Sequence, residues 1–187
     1  MSIANEVPMY PIMLNLTELA IFVVGNDASA EERVRTLSEH GANKLVRFPQ
    51  VLPTAADFSK YAPRLVFLTN LPPQERADIH KLAKDVGALV HAHDYIPLCD
   101  FHLPARLRRG RMLITVSTDG AVAGLSRLLR DYLAANVFGS EWGARVEDLA
   151  AARRRWKTSG LSMGTLFQAI SDHVAEKGWL PRRPSEH

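Results

Sequence analysis

The chain has 187 residues, of which 47% are hydrophobic and 23% charged, with a formal net charge of +3. That apolar fraction is ordinary for a globular core, and the length suits one large domain or two small ones. A single cysteine, Cys99, excludes an internal disulfide framework, no apolar run approaches the roughly 18 residues that span a bilayer, and MSIANEVPMY lacks a basic-then-apolar leader pattern, so a soluble cytoplasmic protein is expected.

Met9 to Leu16 is an apolar lead-in interrupted by Pro11 and too irregular for a strand. The stretch Leu19 to Glu32, LAIFVVGNDASAEE, reads as strand, tight turn and helix, the opening of a nucleotide-binding unit. Its apolar residues are continuous rather than alternating, which suits a parallel strand covered on both faces. The three small positions of a dinucleotide fingerprint fall on Gly25, Asp27 and Ala30. A carboxylate therefore stands where the diphosphate approaches the backbone, a repulsive arrangement unless a metal or an arginine offsets it. Read without a ligand, Asp27 or Ser29 is simply a helix cap.

Ala28 to His40 reads as a helix with Val34 and Leu37 inward and Gly41 as its stop. Lys44 to Phe48 is a second strand, bearing Arg47 near the place where an acidic residue usually meets the ribose hydroxyls. Pro49 to Pro63 has little periodicity, with a helix over Ala55 to Tyr61 as one option. Leu65 to Leu68 is a third strand that ends at Thr69 and Asn70. Pro72 and Pro73 open a helix with Ile79, Leu82, Ala83 and Val86 on one side, and Ala88 to Val90 begins a fourth strand running into His91, Ala92, His93 and Asp94. Strand and helix alternate as in an open parallel sheet, which takes ligands at the carboxyl ends of its strands.

Met112 to Ser117 is a further strand, followed by the turn Thr118, Asp119, Gly120 and a helix from about Val122 with Leu125, Leu128, Leu129 and Leu133 on one face. Two more helices are expected near Arg145 to Trp156 and Ser162 to Glu176, the second with Met163, Leu166, Phe167, Ile170 and Val174 inward, and the tail after Leu180 is expected to fray. Arg106, Arg108, Arg109 and Arg111 cluster, as do Arg153, Arg154, Arg155 and Lys157. Such clusters suit an anionic partner or a solvated face. His91, His93, Asp94, Cys99 and His102 fall close together, and a continuing strand would turn His91 and His93 to one side, compatible with joint ligation of a transition metal or with histidines that line a cleft.

The first turn, the segment HAHDYIPLCDFHLPARLRRG and the segment MLITVSTDGAVAGLSRLLRDYL together resemble the siroheme synthase N-terminal module, a bifunctional precorrin-2 dehydrogenase and sirohydrochlorin ferrochelatase. The resemblance implies an α/β fold. A Rossmann-like parallel sheet over 1–110 would be followed by a strand-helix dimerisation region over 111–140 and a small helical C-terminal domain over 141–187. Asp94 matches the catalytic aspartate. NAD would meet Gly25, Asn26, Asp27, Arg47 and Thr69, and a tetrapyrrole polycarboxylate would meet Thr118, Gly120, Arg127 and Arg130. The implied chemistry is NAD-dependent dehydrogenation of precorrin-2, insertion of Fe²⁺ as a substrate, or both, in a homodimer. His91 stands where the family has Asn, and Asp27 where it has glycine.

Two other classes compete. A non-catalytic tetrapyrrole- or nucleotide-binding dimer that lost dinucleotide affinity would explain Asp27. A nucleic-acid binder using the arginine-rich helix with Trp156 ranks last, and neither a membrane nor a nucleic acid is the expected partner.

Overall fold

An apolar run with no polar alternation leaves no face for water, and Ala20–Val24 (β1) accordingly lies at the centre of a four-stranded parallel sheet. The computed structural model of the chain describes residues 9–160 and 162–180. It divides into two compact units, the first running to Leu103 and taking in Asp119–Ala121, the second comprising Pro104–Thr118 and the chain from Val122 onward.

In the first unit the sheet has the order β2-β1-β3-β4, with β2 at Lys44–Phe48, β3 at Leu65–Leu68 and β4 at Leu89–Ala92. Phe22 of β1 stands beside Val46 on one side and Val66 on the other. Side chains of β1 alternate between two cores, as the pleat requires. Phe22 and Val24 join Phe58, Leu68, Ile79 and Val90 on one face, while Ile21 and Val23 join Ala30, Leu37, Leu65 and Phe67 on the other. Helix α1 (Ala28–Glu39) links β1 to β2, and α3 (Pro73–Asp85) links β3 to β4. The region with little periodicity contains α2 (Ala55–Tyr61), nucleated by a capping box in which Thr54 and Asp57 exchange side-chain and backbone hydrogen bonds. The lead-in before β1 is irregular, as expected.

The outer edge of β4 is covered from within the chain. After a short 3-10 turn at Ile96–Leu98, the Asp100 carboxylate accepts from the Val90 N–H at 2.8 Å, and the Asp100 N–H donates to the Val90 carbonyl. The Cys99 sulfur accepts from the Ala92 N–H at 3.3 Å. An exposed ladder edge is thereby closed.

The second unit opens with a hairpin that the sequence reading missed. Ala105–Arg109 (β5) pairs antiparallel with Met112–Val116 (β6) around Gly110, which has φ +56°. Arg106 and Arg108 point outward and Leu107 is buried between them. The helices are α4 (Ala123–Asn136), α5 (Trp142–Thr158) and α6 (Met163–Glu176). Ala152 and Leu166 form the buried centre of the α5 and α6 pair. Phe167, expected inward, is 72% exposed, because one further residue round the helix carries it off the packed stripe. The Met163 side chain and the tail beyond Leu180 lie outside the described residues. Among the described residues no helix is long and apolar enough to cross a membrane.

Candidate functional site

The connection reverses side at β1, with α1 leading to β2 on one flank and β3 lying on the other, so the carboxyl ends of β1 and β3 open a crevice of the kind that receives ligands in such sheets. A cleft of about 330 Å³ sits there, lined by Asp27, Ser29, Asn70, Leu71, Arg76, His93 and Asp94. Those residues come from the ends of β1, β3 and β4 and from the first turns of α1 and α3. Two of the strand ends turn sharply: Asn70 has φ +42° and Asp94 φ +55°, a left-handed conformation that Asn and Asp tolerate better than other side chains.

Asp94 is an open group at this cleft. Its side chain is 89% exposed, and one carboxylate oxygen lies 3.5 Å from His93 Nε2. The same imidazole nitrogen is 3.3 Å from the Ser29 hydroxyl. Arg76 lies over the Tyr95 ring with its guanidinium carbon 4.0 Å from the ring centre, and its buried Nε has no acceptor.

Asp27 is the N-cap of α1, and its carboxylate accepts from the Ala30 N–H at 3.0 Å. Burial works against its charge, but the bonds from Ala30 and Thr69 outweigh that effect and hold its pKa below the ordinary carboxylate value. Asp27 is therefore ionised at neutral pH. A dinucleotide entering a fold of this kind brings its diphosphate to the N-terminus of this helix. Here that diphosphate would face an ionised carboxylate already bonded to a first-turn amide, and the donor set does not fit it.

The other residues expected around a cofactor are placed differently. Gly25 is buried with φ +131°, and an added Cβ would collide with the Thr69 hydroxyl and carbonyl. Its glycine requirement is met within the protein, with no ligand needed to explain it. Thr69 is buried beneath it, its hydroxyl 3.3 Å from the Val24 carbonyl, and it does not line the cleft. Asn26 is exposed, and Arg47 forms an ion pair with Glu31 of α1.

His91 and His93 do not act alike. His93 faces the cleft, whereas His91 packs between Phe67 and Phe101 with its Nδ1 3.1 Å from the Phe101 carbonyl. Burial lowers the His91 pKa, so its ring stays neutral. Among the described residues no group of three or more His, Cys, Asp or Glu converges in a way that could hold a metal ion. Gly120, with φ +86°, lies beside the His102 ring in the first unit. In the second unit the Thr118 hydroxyl accepts from the Val122 N–H at 3.1 Å and lies 3.3 Å from the Ser126 hydroxyl, Arg127 is exposed, and Arg130 is paired with Asp131.

Sequence reasoning overlooked Ser29 as a cleft residue, having weighed it only as a cap, and it overlooked Arg76 and Asn70. Asn70 carried a signal, since a polar residue directly after an apolar parallel strand marks a strand end. Arg76 carried none, because its place depends on how α3 docks.

Comparison with known proteins agrees with this architecture. A family profile described as "Putative NAD(P)-binding" matches residues 12–105, half of the chain. A siroheme synthase from Pseudoalteromonas atlantica is 31% identical over 140 residues, 66% of this chain and 30% of that protein. Another from Chromobacterium violaceum is 27% identical over 93% of this chain and 43% of its own length. The chain thus spans less than half the length of these relatives. Among solved structures, one titled "SirC, precorrin-2 dehydrogenase" superposes over 92% of both chains with a TM-score of 0.65 at 19% identity, a likeness of fold. The matched family, the order of the three sequence segments and the Rossmann-like sheet agree: the chain belongs to this NAD(P)-binding family, that of the siroheme synthase N-terminal module.

Proposed function

We propose that this chain works in siroheme biosynthesis, with Asp94 as the proton acceptor for a tetrapyrrole polycarboxylate. The observation that carries the reading is the Asp94 carboxylate, 89% exposed at the end of β4 and turned outward over the cleft by a left-handed backbone. Both reactions known by name from the family release protons from the macrocycle, and iron insertion releases two, one from each pyrrole N–H that Fe²⁺ replaces. An exposed base at a fixed strand end suits that task. Fe²⁺ enters as a substrate. Thr118, Gly120, Arg127 and Arg130 remain proposed substrate contacts on the strength of the family resemblance alone.

We also propose a homodimer formed through α4. Leu125, Leu128 and Leu129 are exposed on this helix in the single chain, which supports an intermolecular rather than an internal role for the leucine stripe.

The test is turnover with and without the carboxylate. Sirohydrochlorin with Fe²⁺, and separately precorrin-2 with NAD⁺, are followed by absorbance for the wild type and for Asp94→Asn. Loss of at least about 100-fold in the active assay, with an unchanged melting temperature, is expected for removal of a general base. Equal turnover by the two proteins refutes the role of Asp94.

A further inference from the structure

We infer that this chain handles its tetrapyrrole without a bound dinucleotide, because the Asp27 carboxylate, built into the start of α1, stands where the fold would receive the diphosphate. The tetrapyrrole half of this statement rests on the function proposed above; the dinucleotide half stands on the geometry of β1 and α1.

Four observations converge. Asp27 occupies a fingerprint position at which any side chain narrows the approach to the backbone. Its Oδ1 is bonded to the Ala30 N–H at 3.0 Å, one of the first-turn donors that a bound phosphate would use. The charges lining the cleft are two carboxylates, Asp27 and Asp94, against the single guanidinium of Arg76. Arg76 itself is laid against Tyr95, and Arg47 at the end of β2 is paired with Glu31. A diphosphate would add two negative charges to a cleft whose fixed charge is already negative. Of the two reactions, iron insertion needs a base and an open face but no hydride acceptor, so it is the one that this arrangement retains.

Titration of the full chain with NAD⁺, NADH, NADP⁺ and NADPH, by calorimetry and by nicotinamide fluorescence, tests the inference directly. The wild type is expected to bind each with Kd above about 1 mM, and a micromolar Kd for any of the four overturns the inference. Asp27→Gly removes both charge and side chain, and NADH affinity is expected to rise at least tenfold. Asp27→Asn keeps the helix cap and removes only the charge, so it guards against misfolding of the glycine variant and is expected to give a smaller gain. If neither variant tightens NADH while both melt cooperatively near the wild-type temperature, Asp27 is not the obstacle and the inference fails. Sirohydrochlorin titrated by absorbance keeps the two readings apart. Its failure to bind would sink the tetrapyrrole function alone, whereas the dinucleotide titrations decide the present inference.

Discussion

Gly25 and Asp27 are two residues apart and carry opposite lessons. In a dinucleotide fingerprint both would be glycine for the sake of a ligand, yet here Gly25 is demanded by Thr69, whose hydroxyl and carbonyl occupy the space a Cβ would take. Gly25→Ala is therefore expected to destabilise the first unit by about 3 kcal/mol or more, since a rigid backbone neighbour cannot give way and φ +131° is unfavourable for alanine. Chemical denaturation reads this directly, and a loss under 1 kcal/mol would show that β1 and β3 can part locally. The capping role of Asp27 was legible in its sequence, because Asp before a helix start has a local explanation. The true reason for Gly25 was not, because its neighbour lies 44 residues away in the chain. For Asp94 the family segment implied the role, while its left-handed backbone and its openness emerged only from the way the chain leaves β4.

The strands and helices that declared themselves in sequence did so through continuous or periodic apolar patterns. All four parallel strands and α1 and α3 are of this kind, and each was read close to its observed bounds. Helix α2 is short and was only one option, although Thr54 and Asp57 had the spacing of a capping box. Strand β5 was hidden by arginines that drew attention as a charge cluster; their alternation with Leu107 was the overlooked sign of a strand with one wet face. The cover on β4 was beyond sequence reading, since it pairs a strand with side chains some ten residues later. Asp100 holds it, bonded to Val90 and to Lys84 at 2.8 Å, and although burial opposes its charge, Lys84 and the Val90 N–H keep its pKa below the ordinary value. A carboxylate so depressed adds stability above its unfolded pKa of about 3.9, and that stability disappears as pH falls through the lower folded value. Asp100→Asn should retain the Val90 bond and lose the lysine pair, with a cost under about 1 kcal/mol at pH 7 because Lys84 is solvated, and a flatter stability profile below pH 4. Asp100→Ala should cost about 1–3 kcal/mol, since it also leaves the buried Val90 amide without its acceptor. Thermal melts from pH 3 to 7 distinguish the three proteins.

For the whole molecule the open question in the sequence was what the leucines of α4 touch. A helical apolar stripe looks the same whether it faces its own core or a second copy, and only the structure shows that Leu128 stays 69% exposed in one chain. If α4 is the contact between copies, Leu128→Glu should convert a dimer to a monomer in sedimentation while leaving the circular dichroism of the sheet unchanged. A wild-type monomer at micromolar concentration would refute the proposed pairing. The placement of the functional groups also has a hierarchy. Asp94 belongs to a segment pinned at both ends: the His93 amide donates to the Leu68 carbonyl at 2.8 Å, and the Cys99 sulfur and Asp100 close the far end onto β4. The catalytic candidate is thus carried on a buckled strap whose fastening includes a half-buried thiol. Alkylating that sulfur would loosen the fastening and let the carboxylate wander, silencing the protein in a way that mimics a direct hit on its chemistry although the sulfur does not line the cleft.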